Sequence, residues 1–163
     1  MLAKSKAAMT LLLPSDREIV LTRVFDAPRR LVFEAWTNPE HVKHWYGCSI
    51  MTLPLCEIDL RVGGSYRYVM RDPAGVDHTM EGTYREITPP QRLVCTERYV
   101  TTGFTSNEAL VTVIFAEHAG MTTLTSTVLH QSKADRDGHL SSGMETGAGE
   151  VYDRLEAHLE TMA

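Results

Sequence analysis

Residues 18–26 alternate, with Ile19, Leu21 and Phe25 on one side and Val20, Thr22 and Val24 on the other. That period-two pattern predicts a strand with two distinct faces. Asp26 then precedes Ala27-Pro28. A proline just inside a helix start is favourable, because its missing N–H would be unpaired there anyway. Over residues 28–37 the side chains of Leu31, Val32, Ala35 and Trp36 fall on one stripe at helical spacing. Asn38-Pro39 closes that helix and opens a second short one over residues 39–44.

After Tyr46-Gly47 the texture changes to β and stays so for about eighty residues. Residues 53–60 form a strand candidate in which Pro54 points to a sheet edge or a late start. Gly63-Gly64 makes a turn, residues 65–71 a strand, and residues 72–75 a second turn. Further strands are predicted over residues 78–87, 92–100, 109–117 and 122–130. Connections this short cannot carry parallel crossovers, so the block reads as an antiparallel meander. The tail, residues 141–162, reads as one long helix: Met144, Ala148, Val151, Tyr152, Leu155 and Leu159 recur at three- and four-residue spacing. Residues 135–138 read as a loop or a frayed first turn.

The predicted class is α+β, in the order strand, two short helices, six strands, long helix. A curling meander needs a cover for its concave face, and the last helix is the only amphipathic element long enough. The chain has 163 residues, which suits one domain. Residues 1–14 are expected to be a flexible extension and residues 15–163 the domain. The first residues loosely imitate a signal peptide, yet their apolar stretch is short, Thr10 interrupts it and no A-x-A site follows.

Composition narrows the function. A net charge of -5, with no basic run longer than Arg29-Arg30, leaves no footprint for nucleic acid. No run of 18 apolar residues exists, so no membrane insertion is expected. Cys48, Cys56 and Cys95 lack C-x-x-C spacing and fit buried thiols in a reducing cytoplasm.

Several strings carry a resemblance: Phe25-Asp26-Ala27-Pro28, Ala35-Trp36-Thr37-Asn38-Pro39-Glu40-His41, Trp45-Tyr46-Gly47 and Glu57-Ile58-Asp59-Leu60-Arg61-Val62-Gly63-Gly64. Gly82-Thr83-Tyr84-Arg85-Glu86-Ile87, Pro90-Gln91-Arg92-Leu93-Val94 and Gly143-Met144-Glu145 follow in order. Together they resemble the helix-grip, START-like (SRPBCC) superfamily, and within it the branch named after the activator of the ninety-kilodalton heat-shock chaperone's ATPase. The resemblance implies a curved antiparallel sheet of six or seven strands wrapped around a C-terminal helix. It does not fix function, because such folds host carriers, co-chaperones and cyclases. One departure stands out. Bacterial members of the branch usually carry a tryptophan where this chain has Ala148, between Gly147 and Gly149. The resulting space could be filled by rearranged side chains, by water or by a ligand, and the two glycines soften the helix there.

Strand parity sorts the candidate interior. Tyr66, Tyr68 and Met70 share a face, as do His78, Met80, Gly82, Tyr84 and Glu86; Cys95, Glu97 and Tyr99 form another set. An apolar, aromatic wall with a few polar groups is what a small-molecule pocket requires. The expected ligand-binding residues are Trp45, Tyr66, Tyr68, Met80, Tyr84, Glu97, Tyr99, Phe115, Ala148 and Tyr152. Glu97 is the sharpest of them, since a glutamate in an apolar parity needs a partner. Structurally it is expected to pair with Arg67 or Arg71 or to swing to the open end of the cup, with a general base or a ligand anchor as the functional alternatives.

His41 and His44 are spaced like metal ligands but lack a third ligand and the glutamate of H-E-x-x-H, so no metal and no cofactor is expected. The remaining histidines, His118, His130, His139 and His158, show no pattern. Cys95 lies between Leu93 and Glu97 in its parity and reads as an inert core thiol. The leading expectation is a non-covalent binder or carrier of a small aromatic or lipid-like molecule, not an enzyme. The alternatives are a co-chaperone-like stimulator of a chaperone ATPase, and a hydrolase or cyclase of polyketide-like substrates using Glu97 or His78. A homodimer and a chaperone partner stay open.

Overall fold

The computed structural model describes residues 8–163. Residues 1–7, the first half of the expected extension, lie outside the described residues. Its second half is not frayed. Thr10–Leu12 form strand β1, paired antiparallel with β2 (Glu18–Phe25) through Leu11 opposite Leu21. Met9 and Leu11 pack against the core, and that burial draws the segment onto the sheet.

Seven more strands follow: β3 (Thr52–Ile58), β4 (Ser65–Arg71), β5 (Asp77–Thr88), β6 (Arg92–Thr101), β7 (Phe104–Thr105), β8 (Ala109–His118) and β9 (Met121–Leu129). All pairings are antiparallel, and the strand order is β1-β2-β9-β8-β6-β5-β4-β3, with the two-residue β7 hydrogen-bonded to β6. The curved meander is therefore as the alternation predicts, extended by β1 and β7. Pro54 sits in β3, at the sheet's edge, where its missing N–H breaks no ladder; the register shifts between Thr52 and Leu55.

One strand departs from simple parity. The β5–β6 register shifts between Tyr84 and Glu86, so Arg85 is an extra residue. Tyr84 faces Cys95 on the inner side, whereas Glu86 faces Val94 and its carboxylate accepts from Arg92 Nε at 2.8 Å on the outer side. Glu86 thus does not share the face of Tyr84, because a bulge flips everything beyond it.

Helix α1 (Arg29–Thr37) starts after Pro28, which is the N-cap residue and not the first helical one. Its buried side chains are Val32, Phe33, Ala35 and Thr37, with Leu31 and Trp36 only partly covered. The stripe is turned toward Phe33 because that ring meets Phe115 of β8 edge-on at 5.3 Å. Helix α2 (Pro39–Trp45) is capped by Asn38, whose Oδ1 accepts from Glu40 N at 3.0 Å.

The expected long C-terminal helix is present, and a shorter helix precedes it. Helix α3 (Lys133–Ser141) begins at Ser132, whose hydroxyl accepts from Asp135 N at 3.1 Å, so residues 135–138 are helical and not a loop. Gly143, at φ 84°, then turns the chain through the left-handed region into α4 (Met144–Met162). Tyr152, Leu155 and Leu159 bury the inner stripe of α4 against the sheet, each contributing about 1.5–3 kcal/mol.

Histidines that show no pattern in the sequence meet in space. His41 Nδ1 lies 2.9 Å from His158 Nε2, and the His44 ring stacks on His158 at 5.1 Å, joining α2 to α4. His130 Nε2 lies 3.0 Å from His139 Nδ1, joining the end of β9 to α3. Burial, and then the neighbouring His130, holds His139 down to about 4; burial also lowers His130 and His158. The unfolded chain therefore takes up these protons first, and the stability present above about pH 6.5 is lost as pH falls toward about 4. Denaturant unfolding of wild type and His139→Gln at pH 7.5 and 4.5 checks this. The variant should lose about 1–2 kcal/mol less than wild type on acidification, and an equal loss would contradict the assignment.

Candidate functional site

The register of β4, β5 and β6 gathers one set of side chains on the concave face. Tyr66 lies opposite Gly82, Tyr68 opposite Met80, Met80 opposite Tyr99 and Tyr84 opposite Cys95. Glu97 stands between Cys95 and Tyr99 in the same parity. Gly82 is required here by space: a Cβ would stand 1.8 Å from the carbonyl oxygen of Thr96 and 2.7 Å from the Tyr66 hydroxyl. That room lets Tyr66 cross the floor and donate to Thr96 O at 2.6 Å. The tyrosines form a continuous wall, with ring separations of 4.6 Å for Tyr46–Tyr68, 5.3 Å for Tyr66–Tyr68 and 5.5 Å for Tyr66–Tyr84.

Glu97 is the electrostatic centre of this face. The arginines expected to neutralise it point the other way: Arg67 approaches Glu81 at 3.7 Å, and Arg71 holds Asp77 at 2.8 Å. Parity is the reason, since Arg67 and Arg71 alternate with Tyr66, Tyr68 and Met70 and emerge on the outer face. Among the described residues, no side-chain hydrogen bond or ion pair reaches the Glu97 carboxyl. Burial alone pushes it up to about 7. Tyr46, Tyr66 and Tyr152 are raised above the ordinary phenol range, by burial first and by Glu97 among the other causes. Tyr46, Tyr68 and Glu97 are surrounded by protein, yet each keeps part of its surface accessible.

The ten sequence-derived residues divide into groups. Tyr66, Tyr68, Met80, Tyr84 and Glu97 lie together on the β4–β6 floor, and Tyr152 and Ala148 lie on α4 above the sheet, one helical turn apart. Trp45 and Phe115 are solid core. The Trp45 indole donates to Ala35 O at 2.9 Å, and Phe115 is wedged against Phe33 and Trp36. Tyr99 belongs to the rim: its hydroxyl is 2.5 Å from His78 Nδ1, and His78 Nε2 is 2.9 Å from Asp72 Oδ2. Asp72 also accepts from Ala74 N and Val76 N, so this chain of groups braces the β4–β5 turn at the open end.

One interior residue escapes a reading by alternation. Tyr46 sits in the segment after α2, where no strand period applies, although it belongs to the Trp45-Tyr46-Gly47 string. Ser126, on β9, is buried on the inner face, as its alternation with Leu124 and Val128 predicts. The segment holding Tyr46 is tied to α4 by Arg154 Nη1 donating to Gly47 O at 2.7 Å and by Ser49 N donating to the Glu150 carboxylate at 2.7 Å. Burial first, and then Glu97, push the Cys95 thiol up to about 12, which disfavours the reactive thiolate. Among the described residues no three His, Cys, Asp or Glu side chains are placed to hold a metal ion; His41, His44 and His158 contact one another without that arrangement. Two open clefts of about 270 and 340 Å³ lie on the outer face around Arg67, Glu81 and Arg98 and around Arg85, Glu108 and His130. Both are open to solvent, and the first reaches Tyr66 of the tyrosine wall where Gly82 lacks a side chain.

A carboxyl raised from its ordinary value to about 7 makes the native state bind a proton that the unfolded chain has released. The resulting penalty grows as pH rises from about 4.5 to 7 and is constant above. Glu97→Gln removes it. The stability of the variant relative to wild type should improve by roughly 1–3 kcal/mol between pH 5 and pH 8.5, measured by denaturant unfolding. A difference that does not change with pH would place the carboxyl in an ordinary, solvated environment.

No functionally curated protein matches the sequence. Solved structures do. A crystal structure of a protein from Rhodobacter sphaeroides is 26% identical, with a TM-score of 0.87 over 94% of this chain and 98% of that one. One from Nitrosomonas europaea is 24% identical, with a TM-score of 0.81 over 92% of this chain and 98% of that one, and shares the fold. The AHSA1 protein of Silicibacter pomeroyi shares it too, at 21% identity and a TM-score of 0.74 over 90% of this chain and 99% of that one. Among the described residues no helix is long and apolar enough to cross a membrane. The family described as activator of Hsp90 ATPase homolog 1-like protein matches residues 26–160, and the chain belongs to it.

Proposed function

We propose that the chain binds a small, largely apolar molecule in the space between the β4–β6 floor and α4. The observation that carries this reading is Glu97, a half-buried carboxyl on the inner face with no hydrogen bond or ion pair from the described residues. Burial disfavours its ionised form, and a ligand group that hydrogen-bonds the carboxyl would offset that desolvation. The surrounding wall is aromatic and apolar, with Tyr66, Tyr68, Tyr84, Tyr152, Met80 and Ala148 as its contact surfaces. Apolar walls with a few fixed polar groups are the usual chemistry of small-molecule sites.

Binding fits these residues better than catalysis. Cys95 is held as a neutral thiol, and the Asp72–His78–Tyr99 chain is spent on bracing a turn. The family's description also carries a chaperone-stimulating reading, which ATPase measurements with added chaperone address separately. The cytoplasm, expected from the unpaired cysteines, suits either role.

Ala148→Trp tests the proposed volume. Ala148 is half-buried one turn before Tyr152, so an indole there projects toward the sheet. With the neutral fluorescent probe N-phenyl-1-naphthylamine, the variant should bind at least about tenfold more weakly, which is 1.4 kcal/mol. Overpacking should cost the fold no more than about 1–3 kcal/mol. Unchanged probe affinity in a folded variant would remove Ala148 from the site.

A further inference from the structure

We infer that the interior site takes a hydrophobic amine, its cationic nitrogen on the Glu97 carboxylate and its apolar body along the tyrosine wall. This rests on the binding reading above and adds the chemical class of the ligand.

The argument begins with an inventory of charge on the concave face. The buried cation there is Arg23, on β2. Its Nη1 donates to Asp153 at 2.6 Å and its Nη2 to Glu156, both on α4, so its charge is more than answered. Arg67, Arg71 and Arg98 sit on the strands of the floor but emerge outside, on Glu81 and Asp77. The titratable groups that face Glu97 are Tyr46 after α2, Tyr66 on β4, Cys95 on its own strand and Tyr152 on α4. Burial keeps all four neutral at pH 7, so none supplies a positive charge. The face therefore lacks one cation.

The neighbouring surfaces favour a cation as well. Aromatic rings carry a negative face, and an ammonium within about 6 Å of a ring centroid is attracted to it. Tyr46, Tyr66, Tyr68 and Tyr84 present linked rings 4.6–5.5 Å apart around the same floor. A carboxylate ligand would meet Glu97 as a like charge in a poorly solvated space. A neutral alcohol could accept a hydrogen bond from protonated Glu97 but would leave the ring faces without a charge to attract. An amine answers both the carboxylate and the rings.

Proton linkage gives the inference a signature. Glu97 must be ionised to pair with an ammonium, and its ionisation is displaced to about 7. Amine affinity should rise at least about tenfold from pH 5.5 to pH 8, as the ionised fraction of Glu97 grows. Affinity for an isosteric alcohol should stay flat or fall over the same range.

The experiment is displacement of N-phenyl-1-naphthylamine from the full chain by 4-phenylbutylamine, 4-phenylbutanol and 4-phenylbutyrate, at pH 5.5, 7 and 8. The amine should compete at least about tenfold better than the alcohol at pH 8, and the butyrate worst of the three. Glu97→Gln, confirmed folded by its melting curve, should erase the amine's advantage and its pH dependence. Equal competition by amine and alcohol in wild type, with the probe bound, would overturn the amine inference and leave apolar binding standing. An advantage that persists in the variant, or that does not rise with pH, would also overturn it. Failure of the wild type to bind the probe and all three competitors would overturn both readings.

Discussion

One helix cannot cover a sheet this wide. An α-helix with its side chains is about 10–12 Å across, whereas strands lie about 4.8 Å apart, so a helix shields little more than two of them. Here eight strands run side by side from β1 to β3. Helix α1 lies on β8 and β9, α2 lies on β3, and α4 packs against α1 and α2. The floor formed by β4, β5 and β6 must then be covered mainly by side chains, and large rings do that. The solid core gathers where helices reach the sheet: Phe25, Phe33, Phe115, Leu124 and Leu155. The tyrosines and Glu97 occupy the part the helices leave. The division of the interior into a packed half and an open half follows from coverage.

Glu97 is costly where it stands, and its cost is informative. A neutral side chain of similar size would avoid the desolvation of the carboxylate. The fold has arginines within one residue or one strand of it, and every one is turned outward by the pleat. Nearby hydroxyls are engaged elsewhere, as the bond from Tyr66 to Thr96 O shows. The contrast with Arg23 is instructive. There α4 brings two carboxylates to a buried guanidinium, so this architecture satisfies an interior charge when the helix reaches it. Over the β4–β6 floor no helix brings a partner to Glu97, and that contrast is the ground for the proposed ligand contact.

Much of this was legible in the chain. Period-two alternation places β4, β5, β6, β8 and β9 within a residue or two, though not the two-residue β7; Pro54 marks the edge, and the spacing from Met144 to Leu159 identifies the covering helix. What failed did so for local reasons. The bulge at Arg85 reversed the face of Glu86, and only hydrogen-bond register reveals a bulge. Helix α3 is not legible as a helix because it buries only Arg136 and so shows no apolar stripe, and Gly143 in the left-handed region sets it apart from α4. β1 was missed because three residues are too few to show a period. Arg67 and Arg71 were paired with Glu97 by proximity along the strands, although their parity already placed them outside. The histidine contacts join residues about 9 to 117 positions apart, and no sequence spacing encodes them.

The central claim is that Glu97 is an enclosed, unpaired carboxyl on the inner face. Carbon-13 NMR titration of the selectively labelled Glu97 side chain in the intact protein tests it without a ligand or a mutation. The account predicts a midpoint near 7, displaced upward by desolvation. A midpoint near the ordinary glutamate value of about 4.3 would mean that water or a cation already serves the carboxyl, and would contradict the account.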